Sequence, residues 1–79
     1  MKVLEEKGVR KYLEKHNIIG KYKQAKNNFE AGRYQQIQLE KRQPKQLIEL
    51  QFRISKKYCA FGYFRGKDIF IVTEISAHQ

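Results

Sequence analysis

The stretch Ile48-Glu49-Leu50-Gln51-Phe52-Arg53-Ile54-Ser55-Lys56-Lys57-Tyr58-Cys59-Ala60-Phe61-Gly62-Tyr63-Phe64 decides the fold. Ile48, Leu50, Phe52 and Ile54 alternate with Glu49, Gln51 and Arg53, the period-two pattern of a strand with one face in a core. Ser55-Lys56-Lys57 reads as a hairpin turn. Tyr58 to Phe64 reads as a second, aromatic-rich strand, in which Gly62 marks a bulge or a close backbone approach. After the turn Arg65-Gly66-Lys67-Asp68, Ile69 to Ile75 is nearly all apolar and β-branched, as expected of a strand buried on both faces. Three sequential strands joined by short turns pair as an antiparallel meander.

Upstream the pattern changes to a helical one. Val9, Tyr12 and Leu13 share one face of a helix expected over about 4–16, and Tyr22, Ala25 and Phe29 share one face of a second over about 20–31. Gly32 follows the second helix, where its tolerance of positive φ suits the chain reversal. Residues 33–46, with Tyr34, Ile37, Leu39 and the lone Pro44, read as an irregular basic crossover, and the sheet occupies about 47–75. The expected fold is α+β, one domain over 1–79, with two N-terminal helices on one face of a three- to four-stranded antiparallel meander.

Charge points to the partner. The chain carries 17 Lys and Arg against 8 Asp and Glu, a formal charge of +9. Residues 1–46 hold +7 of it and residues 47–79 the other +2. On an aromatic-rich folded domain this is the electrostatic footprint of a polyanion binder, RNA above all. A surface kept basic for solubility, or for an acidic protein, is the alternative. One cysteine, Cys59, excludes an intrachain disulfide. The charged start Met1-Lys2-Val3-Leu4-Glu5-Glu6-Lys7 lacks a secretory h-region, and no apolar run is long enough to span a bilayer. A cytoplasmic protein with no membrane partner is expected.

No phosphate-binding glycine loop, Cys/His metal spacing or paired carboxylates occur, so no metal or other cofactor is expected. The remaining inventory suits cleavage of RNA by its own 2′-hydroxyl, which needs a base, an acid and cations near the transition state. His78 is the candidate acid or base, because it follows the last strand and titrates near neutrality. Arg53, Lys56, Lys57 and Arg65, on or beside the turns, are candidate phosphate ligands. Tyr58 and Tyr63 are candidate stacking platforms as well as candidate core aromatics. His16, at a helix end, reads as a capping or surface residue, and Cys59 as a small strand filler.

The run Phe52 to Tyr63, followed by Ile69-Phe70-Ile71-Val72 and by Ile75-Ser76-Ala77-His78-Gln79, resembles the RelE/ParE toxin superfamily. The resemblance places Arg53 at the arginine of the family's first meander strand, Tyr58 at the tyrosine of its Tyr-Arg pair, and His78 at its terminal catalytic position. Cys59 stands where the pair's arginine is usual. The resemblance implies the toxin of a type II toxin–antitoxin pair, a metal-independent endonuclease cutting mRNA on the ribosome and masked by a cognate acidic antitoxin. Two other activities on this fold are a non-cleaving RNA- or ribosome-binding module, favoured by Cys59, and a gyrase-directed inhibitor.

Overall fold

The computed structural model of the protein describes residues 1–41 and 49–77. The elements run β1 (Lys2–Glu5), α1 (Val9–Lys15), α2 (Ile19–Glu30), β2 (Glu40–Lys41), β3 (Leu50–Arg53), β4 (Tyr58–Arg65) and β5 (Ile69–Ala77). The strands form one sheet in the order β1-β5-β4-β3-β2. β3, β4 and β5 make the expected antiparallel meander, and Ile48, expected to open its first strand, lies outside the described residues.

The α+β class holds, but the antiparallel three- to four-stranded sheet is corrected to a mixed, five-stranded one. Residues 2–5 do not begin the first helix. They form β1, parallel to β5 with Val3 opposite Phe70 and Glu5 opposite Val72. The reason is non-local: β5 needs a partner on its outer edge, and Val3 supplies a fully buried side chain there. The crossover over 33–46 is irregular from 34 to 38 and then adds β2, which pairs Glu40 with Gln51 and Lys41 with Leu50. Its residues 42–46 lie outside the described ones.

Both helices end in the same way. At α1, Asn17 turns left-handed (φ 58°), the Ile18 amide bonds the Leu13 carbonyl at 3.0 Å and the Asn17 amide bonds Glu14 at 3.1 Å. At α2, Gly32 (φ 78°) takes the corresponding place, with Arg33 bonding Asn28 at 2.8 Å and Gly32 bonding Phe29 at 3.0 Å. These paired closing bonds satisfy carbonyls that a helix end leaves open. At α1 the motif turns the chain into α2 within three residues, and buried Leu13 and Ile18 sit at the corner.

The core lies between the helices and one sheet face. Val9, Leu13, Tyr22, Ala25 and Phe29 meet Phe52, Ile54, Tyr58, Ala60, Phe70, Val72 and Ile75, with Val3 and Ile37 closing the ends. Cys59, Phe61 and Ile71 are also buried but belong to the other face, as strand alternation requires. Gly62 sits at a register shift in β4, as its place in the sequence suggests. A Cβ there would collide with the Ile71 carbonyl oxygen and come within 2.7 Å of the Phe70 ring, so the position admits no side chain.

A polar seam fixes α2 to β1. Glu30 accepts the Val3 amide at 2.8 Å, while Glu5 accepts the Tyr22 hydroxyl at 2.6 Å and the Lys26 ammonium at 3.1 Å. Burial first, then this bond and the nearby carboxylates, push the Tyr22 phenol well above its ordinary value of 10.0. The folded state therefore keeps Tyr22 neutral where the unfolded chain ionises it. This contribution is intact below about pH 10 and is lost as pH rises further, at up to about 1.4 kcal/mol per pH unit. Urea unfolding of wild type and Tyr22→Phe between pH 8 and 11 checks it: wild type should lose stability more steeply above pH 10. Equal slopes would show that the fold does not hold this phenol neutral.

Candidate nucleic-acid interface

The β3–β4 turn is held by its own serine. Ser55 Oγ accepts the Lys57 amide at 3.3 Å and the Tyr58 amide at 3.2 Å, and the Ile54 amide closes on the Tyr58 carbonyl at 3.0 Å. With the backbone so tied, Lys56 and Lys57 stand exposed at the tip. Across from them is α2, where Lys21 and Gln24 are exposed. An open groove of about 460 Å³ separates the two, lined by Lys21, Gln24, Ser55, Lys56 and Lys57 over a floor of Ile54. A second depression of about 270 Å³ shares Lys21, Gln24 and Ile54 and extends to Asn28, Gln36 and Arg53. Among the described residues lining both there is no carboxylate. Like charges facing one another across an open groove repel, and a polyanion relieves that repulsion.

The other wall of the turn is aromatic. Tyr58 is 8% exposed at the start of β4, and its hydroxyl lies 3.3 Å from His16 Nδ1. Tyr12, one helical turn before His16, stacks on the imidazole with ring centroids 4.1 Å apart and meets Tyr58 edge-on at 6.4 Å. Lys57 Nζ stands 5.6 Å from the centre of the Tyr58 ring, a cation–π contact that joins the aromatic wall to the lysine groove. The imidazole itself is exposed to solvent.

Of the residues expected from sequence, Tyr58, Lys56 and Lys57 come together here. Tyr58 is one of the core aromatics, with its ring buried and its hydroxyl in the part-buried contact to His16. Arg53 borders the second depression from β3, half-buried on the non-core face opposite Cys59. Arg65 and Tyr63 are not part of this cluster. Arg65 ends β4 seven residues from Tyr58, roughly 23 Å along an extended strand. Tyr63 pairs with Ile71 in the outer half of the same strand. His78 lies outside the described residues. Sequence reasoning missed Lys21 and Gln24 as groove residues and His16 as a member of the aromatic cluster. The partner of His16 is 42 residues away, and no local pattern announces it.

Cys59 is 3% exposed, and burial pushes its thiol up, against the smaller opposing effect of the neighbouring Arg53 guanidinium. An arginine at this position would have to bury its charge, which costs several kcal/mol without a partner. Among the described residues no three His, Cys, Asp or Glu side chains gather as a metal site, and no helix is long and apolar enough to cross a membrane. In comparisons with protein-family models, curated proteins and solved structures, nothing matches this chain.

The burial of Cys59 has a direct chemical readout. Iodoacetamide at pH 8 should alkylate Cys59 at least about 100-fold more slowly in the native protein than in urea, which corresponds to a local opening cost near 3 kcal/mol. Equal rates would show that the sheet face away from the helices is open.

Proposed function

We propose that this protein is an RNA-directed toxin of the RelE/ParE type: a metal-independent endonuclease that cuts mRNA on the ribosome and is held in check by an acidic antitoxin. The observation that supports the reading is that Lys57 both lines the lysine groove and stands over the Tyr58 ring, whose hydroxyl meets His16. Lys21, Lys56 and Lys57 neutralise consecutive phosphates, and the imidazole–phenol edge lies beside the backbone they hold. Such a surface supplies what 2′-hydroxyl attack needs: cations at the phosphate and proton carriers at the sugar. An acidic chain that folds across the groove would satisfy the same lysines and block it, which is how an antitoxin would act here.

A second reading rests on Cys59. With no arginine at that buried position, the chain would hold RNA or the ribosome without cutting. The two readings share the groove and differ in the product. Single-stranded RNA affinity should fall with salt at a log–log slope of about −3 to −4, as roughly 4–6 phosphate contacts dictate. Replacing Lys21, Lys56 and Lys57 together by Ala should flatten that slope by about 2. A salt-independent affinity would remove RNA as the partner. Mapping mRNA ends after induced expression then separates the readings: new 5′-hydroxyl ends show the nuclease, and unchanged ends with RNA binding show the module.

A further inference from the structure

We propose that His16 is the proton-transferring residue of this site, with Tyr58 positioning its ring. The proposal rests on the nuclease reading above. His16 and Tyr58 are joined by the 3.3 Å contact at Nδ1, and the stacked Tyr12 ring holds the imidazole plane from below. When Nδ1–H donates to the Tyr58 oxygen, the Nε2 lone pair is left free. His16 is exposed and touches Tyr58, whose ring carries Lys57 of the groove, so a ligand that continues from the groove past Lys57 can meet that atom.

The surrounding charges suit a reaction at phosphate. Lys57 stands over the Tyr58 ring from the turn, and Lys21 faces Lys57 across the groove from α2. Glu14 and Lys15 precede His16 at the end of α1, and Glu14 is in ion-pair range of Arg10 at 4.0 Å. Glu74 of β5 borders the depression on the far side of Tyr12. The step balances without a co-reactant. Nε2 of neutral His16 takes the proton of a ribose 2′-hydroxyl, O2′ forms a bond to the adjacent phosphorus, and the P–O5′ bond breaks. O5′ leaves with a proton from water, and the imidazolium gives its proton to the hydroxide so formed, which restores neutral His16 and yields a 2′,3′-cyclic phosphate and a 5′-hydroxyl.

The test compares wild type with His16→Gln, His16→Ala and Tyr58→Phe on an mRNA in a translation extract, and on a 2′-O-methylated oligonucleotide that binds but cannot react. The expected result for His16→Gln is cleavage slowed by roughly 10²–10⁴ with oligonucleotide affinity changed less than about threefold. Its pH–rate profile should lose the acid limb that wild type shows. Added imidazole should restore part of the rate to His16→Ala, which a structural role for the ring would not permit. Tyr58→Phe should slow cleavage by about tenfold and keep the limb, because the ring is then unoriented yet present. If wild type cuts and His16→Gln cuts equally with the same pH profile, the assignment of His16 is overturned while the nuclease reading stands. If wild type binds the oligonucleotide but cuts no RNA, the nuclease reading fails and the proposal falls with it.

Discussion

Phe29, Phe52 and Phe70 form the contact on which the rest of the structure depends. Their ring centroids are 5.3, 4.7 and 6.1 Å apart, and all three side chains are fully buried. They come from α2, β3 and β5, so one triangle ties the long helix to an inner strand on each side of β4. Each ring contributes about 1.5–3 kcal/mol by burial alone, and removing one from so small a core costs about 3–5 kcal/mol. A 79-residue chain has little margin to absorb that loss. Because Phe29 sits near the C-terminal end of α2, the triangle sets the direction of the helix as well as its distance from the sheet. The N-terminal end of α2, with Lys21 and Gln24, is thereby brought over the β3–β4 turn.

The polar seam completes the placement. Glu5 and Glu30 hold α2 against β1, and Glu30 caps a backbone amide on the outer edge of the sheet that would otherwise invite another strand. Two of the chain's few carboxylates are thus spent on internal bonds at the β1 edge, far in the sheet order from β3. The lysines at the β3–β4 turn face Lys21 of α2, and among the described residues no acidic side chain lines the groove. The net charge of the chain is in this way converted into a local feature. The same corner that starts α2 leaves His16 at its outer rim, next to Tyr58.

Much of this could be read from the residues, and the exceptions share a cause. The alternation through Leu50, Phe52 and Ile54, the turn at Ser55-Lys56-Lys57 and the irregularity at Gly62 are local signals, and the structure bears them out. The helical spacing of Val9, Tyr12 and Leu13 was equally plain, though its start was misplaced. Lys2–Glu5 is only four residues long and buries Val3 while exposing Leu4, so nothing in it distinguishes a strand from the first turn of a helix. Its strand character comes from β5, almost the whole chain away. Ile37 is buried within an irregular segment, where a single apolar side chain has no period to reveal it. For the site, the cations of the turn were legible because turns expose what they carry. The His16–Tyr58 contact and the facing of Lys21 toward Lys57 arise only when α2 is laid across the sheet.

The proposed RNA site is the groove walled by the start of α2 and the β3–β4 turn, with the His16–Tyr58 pair reached from it through Lys57. Amide and side-chain chemical-shift mapping with a 2′-O-methylated oligonucleotide tests it most directly. Perturbations should concentrate on Lys21, Gln24, the amides of residues 55–58 and the His16 ring, and should leave Arg65 and Lys67 at the opposite end of β4 unaffected. Perturbations centred on Arg65 and Lys67, or spread evenly over every lysine of the surface, would contradict the account.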